Sequence, residues 1–168
     1  MKIKIAETRS GRREDIPFSF AVTAAEIDAV QESYSFPGTI RVEGRVTDTG
    51  RALRVTGIIL CKKAFVCDRC LKECIEEQRQ EFAEDFCRAG AGTDDENGEV
   101  NLFQGEEIEL DAVVRDTLLA AQPVANVCCP DCKGLCPQCG ANLNEGDCGC
   151  ERFVPDPRLA SLQQLLHE

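Results

Sequence analysis

Seven cysteines fall between positions 128 and 150: Cys128, Cys129, Cys132, Cys136, Cys139, Cys148 and Cys150. Nothing else in the chain constrains its folding as tightly. In Cys136-Pro-Gln-Cys139-Gly140, Pro137 presets a turn and Gly140 permits a positive φ, which leaves backbone N–H groups free to donate to the sulfurs. Gly149 removes the side chain between Cys148 and Cys150, so that pair can offer both thiols to one point. Residues 140–147, with Asn142, Asn144 and Gly146, are long enough to join the two half-sites. Four thiolates at tetrahedral angles, each about 2.3 Å from the ion, make a structural zinc shell. The spacing therefore predicts a zinc held by Cys136, Cys139, Cys148 and Cys150. Pro, Gly, Asn and Asp around these residues argue against four reduced thiols buried in a regular core.

Cys67-Asp-Arg-Cys70 is a further half-site without a partner pair nearby in sequence. Cys128 and Cys132 are left over from the first cluster, and a second zinc bound by Cys67, Cys70, Cys128 and Cys132 would staple the two segments together. The alternative is that Cys128 or Cys132 replaces a member of the first site, so the spacing leaves open whether one zinc or two are bound. Cys61, Cys74 and Cys87 read as small hydrophobes or spare thiols, and Cys129 is unassigned. The first ten residues carry no apolar leader, and no segment has the length of a membrane span. That reads as a cytoplasmic protein without membrane contact. Thiols stay reduced in that compartment, which favours metal ligation over disulfides.

The net charge of −11 is unevenly spread: residues 1–74 carry 13 Lys/Arg and 10 Asp/Glu, whereas residues 75–168 carry 6 and 20. The acidic half would be repelled by a phosphate backbone, so any nucleic-acid contact belongs to the N-terminal half. Lys2, Lys4, Arg9, Arg12, Arg13, Arg41, Arg45, Arg51, Arg54, Lys62 and Lys63 lie there, and most of them are expected on solvated strand faces.

Residues 2–6 and 18–22 read as short strands. Thr23 and Glu26 fit a capping box that opens a brief helix. From Thr39 the pattern turns to period two, with Ile40, Val42 and Val46 on one face and Arg41, Glu43, Arg45 and Thr47 on the other. A turn at residues 48–50 and renewed alternation through Leu53, Val55 and Ile59 complete a long hairpin. Residues 75–86 follow as a third antiparallel strand, and residues 88–99 as a mobile acidic loop. Leu110, Val113, Val114, Thr117, Leu118 and Ala121 predict an amphipathic helix over 108–121. Asp156 and Pro157 open a last helix whose apolar stripe is Leu159, Leu162, Leu165 and Leu166. The fold class is α+β: an antiparallel sheet or partly closed barrel with a packing helix, a zinc-knuckle segment and a terminal helix. Residues 1–122 form the sheet domain and residues 123–168 the zinc-binding segment with its helix.

Catalysis finds little support. A catalytic zinc keeps an open position, usually with His ligands and a base nearby, and the sole histidine is His167. A redox Cys-x-x-Cys belongs at a helix N-terminus, whereas Cys67 and Cys70 sit in a hairpin context. There is no Gly-rich phosphate loop, and Glu106 and Glu107 read as a solvated face.

Cys67-Asp-Arg-Cys70-Leu71, the stretch from Leu110 to Leu119, the string from Asp131 to Asn144, the Cys148-x-Cys150 pair and the ending from Asp156 to Ala160 together resemble the bacterial YceD family. The resemblance runs in order over nearly the whole chain. It implies a non-enzymatic role in large ribosomal subunit biogenesis, through accumulation or processing of 23S ribosomal RNA. The implied partner is the precursor large subunit, its RNA or one of its proteins, with structural zinc and no small-molecule substrate. The other classes of function that the sequence allows are a zinc-stabilised protein–protein adaptor unrelated to ribosomes and a thiol redox switch with Cys67 and Cys70 reactive.

Overall fold

Alternating burial along two long strands organises the molecule. The computed structural model describes residues 1–5, 15–89, 101–151 and 158. Within these, the chain forms β1 (Lys2–Lys4), β2 (Ile16–Val22), β3 (Tyr34–Ser35), β4 (Ile40–Asp48), β5 (Leu53–Val66), β6 (Glu73–Arg88), β7 (Asn101–Phe103), β8 (Glu107–Glu109) and α1 (Asp111–Ala120). The terminal helix expected at 156–166, apart from Arg158, residues 90–99 of the acidic loop, and Arg9, Arg12 and Arg13 lie outside the described residues.

Ile40, Val42 and Val46 of β4 are buried while Arg41, Glu43 and Arg45 are exposed, as a half-buried strand requires. β5 continues the pattern through Val55, Ile59, Cys61 and Phe65. The two strands pair antiparallel from Arg41↔Leu60 to Asp48↔Leu53. Their turn is closed by the Gly50 N–H donating to Asp48 Oδ1 at 2.7 Å, with Gly50 at φ +86°. β2 pairs antiparallel on the far side of β4. The six residues between β5 and β6 are too few for a crossover, so these neighbours also run antiparallel.

The sheet order is β2-β4-β5-β6-β7, with β3 pairing the end of β5, and β7 lies parallel to β6. The sheet is therefore mixed and open rather than purely antiparallel or barrel-like; among the described residues no pairing joins β2 to β7.

β1 and β8 form a separate antiparallel ribbon in which Ile3 faces Ile108. Ile108 is fully buried, and this pairing shortens the expected helix: residues 108 and 109 are strand, and α1 starts at Asp111. Leu110, Val114 and Leu118 then recur at four-residue steps as its buried stripe. They join Ile3, Ile108, Val42, Val55, Ile59, Phe82 and Phe86 in one core. Residues 23–28 form a turn rather than a helix, although Glu26 accepts from the Thr23 N–H at 2.6 Å and the Thr23 hydroxyl at 2.8 Å. Lys63 also departs from expectation. It lies on the buried face of β5, with its ammonium 4.8 Å from the Tyr34 ring centre and 5.1 Å from that of Phe65.

By contact, Met1–Phe65 and Glu73–Val124 form one compact unit, and Val66–Lys72 and Ala125–Glu168 form a second. The tip of the β5–β6 hairpin thus groups with the cysteine-rich segment.

Candidate metal centres

Two turns of the second unit carry the same backbone signature. At the hairpin tip, the Cys67 N–H donates to Lys72 O at 2.9 Å and the Leu71 N–H to Cys67 O at 2.9 Å. In the cysteine-rich segment, the Cys136 N–H donates to Ala141 O at 2.8 Å and the Gly140 N–H to Cys136 O at 2.9 Å. Leu71 at φ +58° occupies the place that Gly140 fills at φ +73°. Both are Cys-x-x-Cys knuckles whose inward N–H groups face a sulfur. Burial opposes the Cys67 thiolate, but N–H groups of Cys128, Cys70 and Arg69 outweigh it and bring the thiol down to about 6. The N–H groups of Cys139 and Gln138 bring Cys136 down to about 6 in the same way.

Each knuckle is completed by a second pair. The sulfurs of Cys67, Cys70, Cys128 and Cys132 all lie within 4.8 Å of one another, and so do those of Cys136, Cys139, Cys148 and Cys150. A tetrahedral ion with bonds of about 2.3 Å to sulfur needs sulfur–sulfur edges of about 3.8 Å. The hairpin cluster has Cys67 3.9 Å from Cys132 and Cys70 3.6 Å from Cys128, each far longer than a disulfide. Protons are shared unevenly within each set. The Cys132 sulfur, followed by burial, drives the Cys128 thiol strongly upward, and that of Cys139 pushes Cys150 up to about 12. Such a mixture of thiolates and thiols is what a soft divalent cation displaces protons from when it binds. Four sulfurs suit zinc, and a shell filled by protein leaves no open position for a substrate.

The structure thus brings the eight candidate ligand residues into two sets that could each hold a metal ion, and leaves Cys129 outside both. Cys129 is exposed, with its sulfur 3.9 Å from that of Cys128. Cys61 is buried in the sheet core, Cys87 donates to Arg51 O at 3.7 Å, and Cys74 is half-buried.

The residues between the cysteines do more than the spacing argument foresaw. The Asn126 N–H donates to Asp68 Oδ2 at 2.6 Å and the Asp68 N–H to Asn126 O at 2.8 Å. The Arg69 guanidinium donates to Cys132 O at 3.0 Å and Pro130 O at 3.5 Å. The Leu135 N–H reaches back to Arg69 O at 3.1 Å, beside Gly134 at φ +74°, where a Cβ would come within 3.0 Å of that oxygen. Asp68 and Arg69 therefore seat the hairpin tip on residues 126–135 independently of any ion. The only sequence signal for this was a charged pair placed where a knuckle needs none.

The family model described as large ribosomal RNA subunit accumulation protein YceD matches residues 55–166, two thirds of the chain. The chain belongs to the YceD family. The match covers all but the first two residues of β5, the elements from β6 through α1, and both cysteine clusters. Uncharacterized proteins of Mycobacterium tuberculosis and Mycobacterium bovis are 33% identical over 124 residues, which is 73% of this chain and 59% of theirs. The chain thus spans about three fifths of the length of these curated relatives. The chloroplastic large ribosomal RNA subunit accumulation protein YCED homolog 1 of Arabidopsis thaliana is a more distant YceD relative. It is 35% identical over 60 residues, or 36% of this chain and 19% of that protein. No solved structure matches. Among the described residues, no helix is long and apolar enough to cross a membrane.

Proposed function

We propose that this protein is a non-enzymatic factor for large ribosomal subunit biogenesis that supports accumulation or processing of 23S ribosomal RNA in the cytoplasm. The observation that carries this reading is the YceD match over residues 55–166. In this reading both cysteine clusters hold structural zinc, because thiolate-only shells with N–H donors on their sulfurs favour it and offer no site for chemistry. The partner is the precursor large subunit, through its RNA or a ribosomal protein. The contact falls on the outward face of the sheet, where Arg41, Lys62 and Arg79 line an open concavity of about 670 Å³ together with Glu77 and Gln78. Depleting the protein and fractionating cell extracts on sucrose gradients tests the reading. A fall in mature large-subunit RNA and co-migration of the protein with precursor particles are expected. Normal RNA levels with no co-migration would sink it.

A second reading, a zinc-stabilised adaptor between proteins outside ribosome assembly, draws on the 20 Asp/Glu against 6 Lys/Arg in residues 75–168. Affinity capture with and without nuclease separates the two. Partners unrelated to ribosomes that survive nuclease would favour the adaptor.

A further inference from the structure

Cys132 closes the hairpin cluster and Cys136 opens the C-terminal cluster, so three residues separate ligands of two different shells. Those residues form one side of a small hairpin. Lys133 to Cys136 is bonded to Ala141 to Asn144 by the Cys136 N–H to Ala141 O (2.8 Å), the Leu143 N–H to Gly134 O (2.9 Å) and a β-bridge between Leu135 and Asn142. Asn144 sits at the open end of this ladder. Its Oδ1 accepts the Lys133 N–H at 2.8 Å, which fixes the orientation of the amide. Nδ2 is thereby turned toward the other cluster and donates to Cys132 Sγ at 3.4 Å, with Asn142 Oδ1 as its second acceptor at 2.8 Å. A residue from the loop that joins the two halves of one cluster thus supplies an N–H to a sulfur of the other.

We propose that Asn144 is a positioning residue that couples the two metal sites, so that filling the C-terminal cluster tightens binding at the hairpin cluster. A metal on Cys136, Cys139, Cys148 and Cys150 pins both ends of residues 140–147 and holds the Asn144 amide against Cys132. The N–H then draws charge from a sulfur that shares a doubly negative four-thiolate shell. Donors behind a metal ligand are typically worth about 10–100-fold in affinity, and the effect here falls on the cluster that Asn144 does not belong to. This inference rests on the reading that both clusters hold metal.

The test is competitive Zn²⁺ titration of the full chain against a chromogenic chelator, with Co²⁺ spectra in parallel. Cys150→Ser leaves the hairpin cluster as the one complete shell, and Cys70→Ser leaves the C-terminal cluster. Asn144→Asp keeps the acceptor for Lys133 but presents an anionic oxygen to the sulfur. The hairpin cluster is expected to bind Zn²⁺ about tenfold or more weakly in Cys150→Ser than in the parent chain. Asn144→Asp in the parent chain should produce a similar loss at that cluster and shift its sulfur-to-cobalt charge-transfer band. It should leave affinity unchanged in the Cys70→Ser background, and its effect should not add to that of Cys150→Ser. Loss of affinity at the C-terminal cluster in the Cys70→Ser background would make Asn144 merely structural and overturn the proposal, as would full additivity or indifference of the hairpin cluster to either change. If neither single-cluster variant binds metal, the metal reading itself fails; if both bind but the hairpin cluster holds Zn²⁺ as tightly in Cys150→Ser and in Asn144→Asp as in the parent chain, only the coupling does.

Discussion

Leu71 holds a left-handed φ of +58° with its side chain 63% exposed, at the position where the other knuckle uses Gly140. A side chain with a Cβ costs about 1–2 kcal/mol in that conformation, and glycine avoids the penalty while adding freedom to the unfolded chain. Leu71→Gly should therefore leave stability unchanged or raise it by up to about 1 kcal/mol, as read from denaturant melts of the metal-loaded protein. Gly44 behaves oppositely. It faces Gly57 across the β4–β5 pair, and a Cβ there would come within 2.2 Å of Thr56 O and 2.6 Å of the Phe18 ring. Gly44→Ala should cost about 3 kcal/mol, the upper part of the range for overpacking, because the obstructing atom is backbone in the middle of a sheet. The same melts check it, with a midpoint shift and an unchanged slope as the expected signature. Neither residue's role was visible in the sequence: Leu71 looks like an ordinary exposed leucine, and a strand glycine does not reveal that Phe18 packs over it.

At the scale of elements, legibility followed how far each element depends on its own residues. β4 and β5 could be read because inward and outward positions alternate without interruption over many residues. The knuckles could be read because turn chemistry and ligand spacing are local. Elements decided by distant partners could not. Residues 108 and 109 fall inside the helix expected over 108–121, yet pairing with Lys2 and Ile3 makes them part of a strand. β7 is set by its parallel pairing with β6, and three residues hold no pattern that reveals direction. Lys63 was misjudged because its burial depends on Tyr34, brought in by the β3–β5 pairing. The knuckle elements allow a prediction of their own. Cys136→Ser should lower metal content by one ion per chain and raise amide exchange across residues 133–150 while β4 and β5 keep their protection, as measured by mass spectrometry of intact protein and by hydrogen exchange.

For the molecule as a whole, acidity should act on the second unit through its sulfurs. Cys67 and Cys136 are lowered from the ordinary thiol value of 9.0 to about 6, so their thiolate forms stabilise the folded state fully above the ordinary value, progressively less as pH falls below it, and no longer once pH has fallen through about 6. Above that point protons compete with metal only at the more basic sulfurs, which the ion readily displaces. Below it every ligand is contested. Metal should therefore stay bound at pH 7 and be released steeply once pH drops below about 6, as followed with a fluorescent zinc indicator. Release that is already complete at neutral pH, or absent down to pH 4, would contradict this ligand set.

The two clusters differ in when a growing chain can complete them. Cys136 and Cys150 belong to one short loop, so the C-terminal shell needs only its own stretch of polypeptide. Cys70 and Cys128 are 58 residues apart, and the chain between them runs through β6, β7, β8 and α1. Closing so long a loop in a disordered chain costs about 4 kcal/mol. That cost falls on the metal unless the intervening strands and helix have already folded. The hairpin cluster is thus a late event in biosynthesis: a nascent chain halted before Cys132 can build its sheet but has no fourth sulfur for this shell. An ion there marks a polypeptide that has been both fully translated through residue 132 and correctly folded in between.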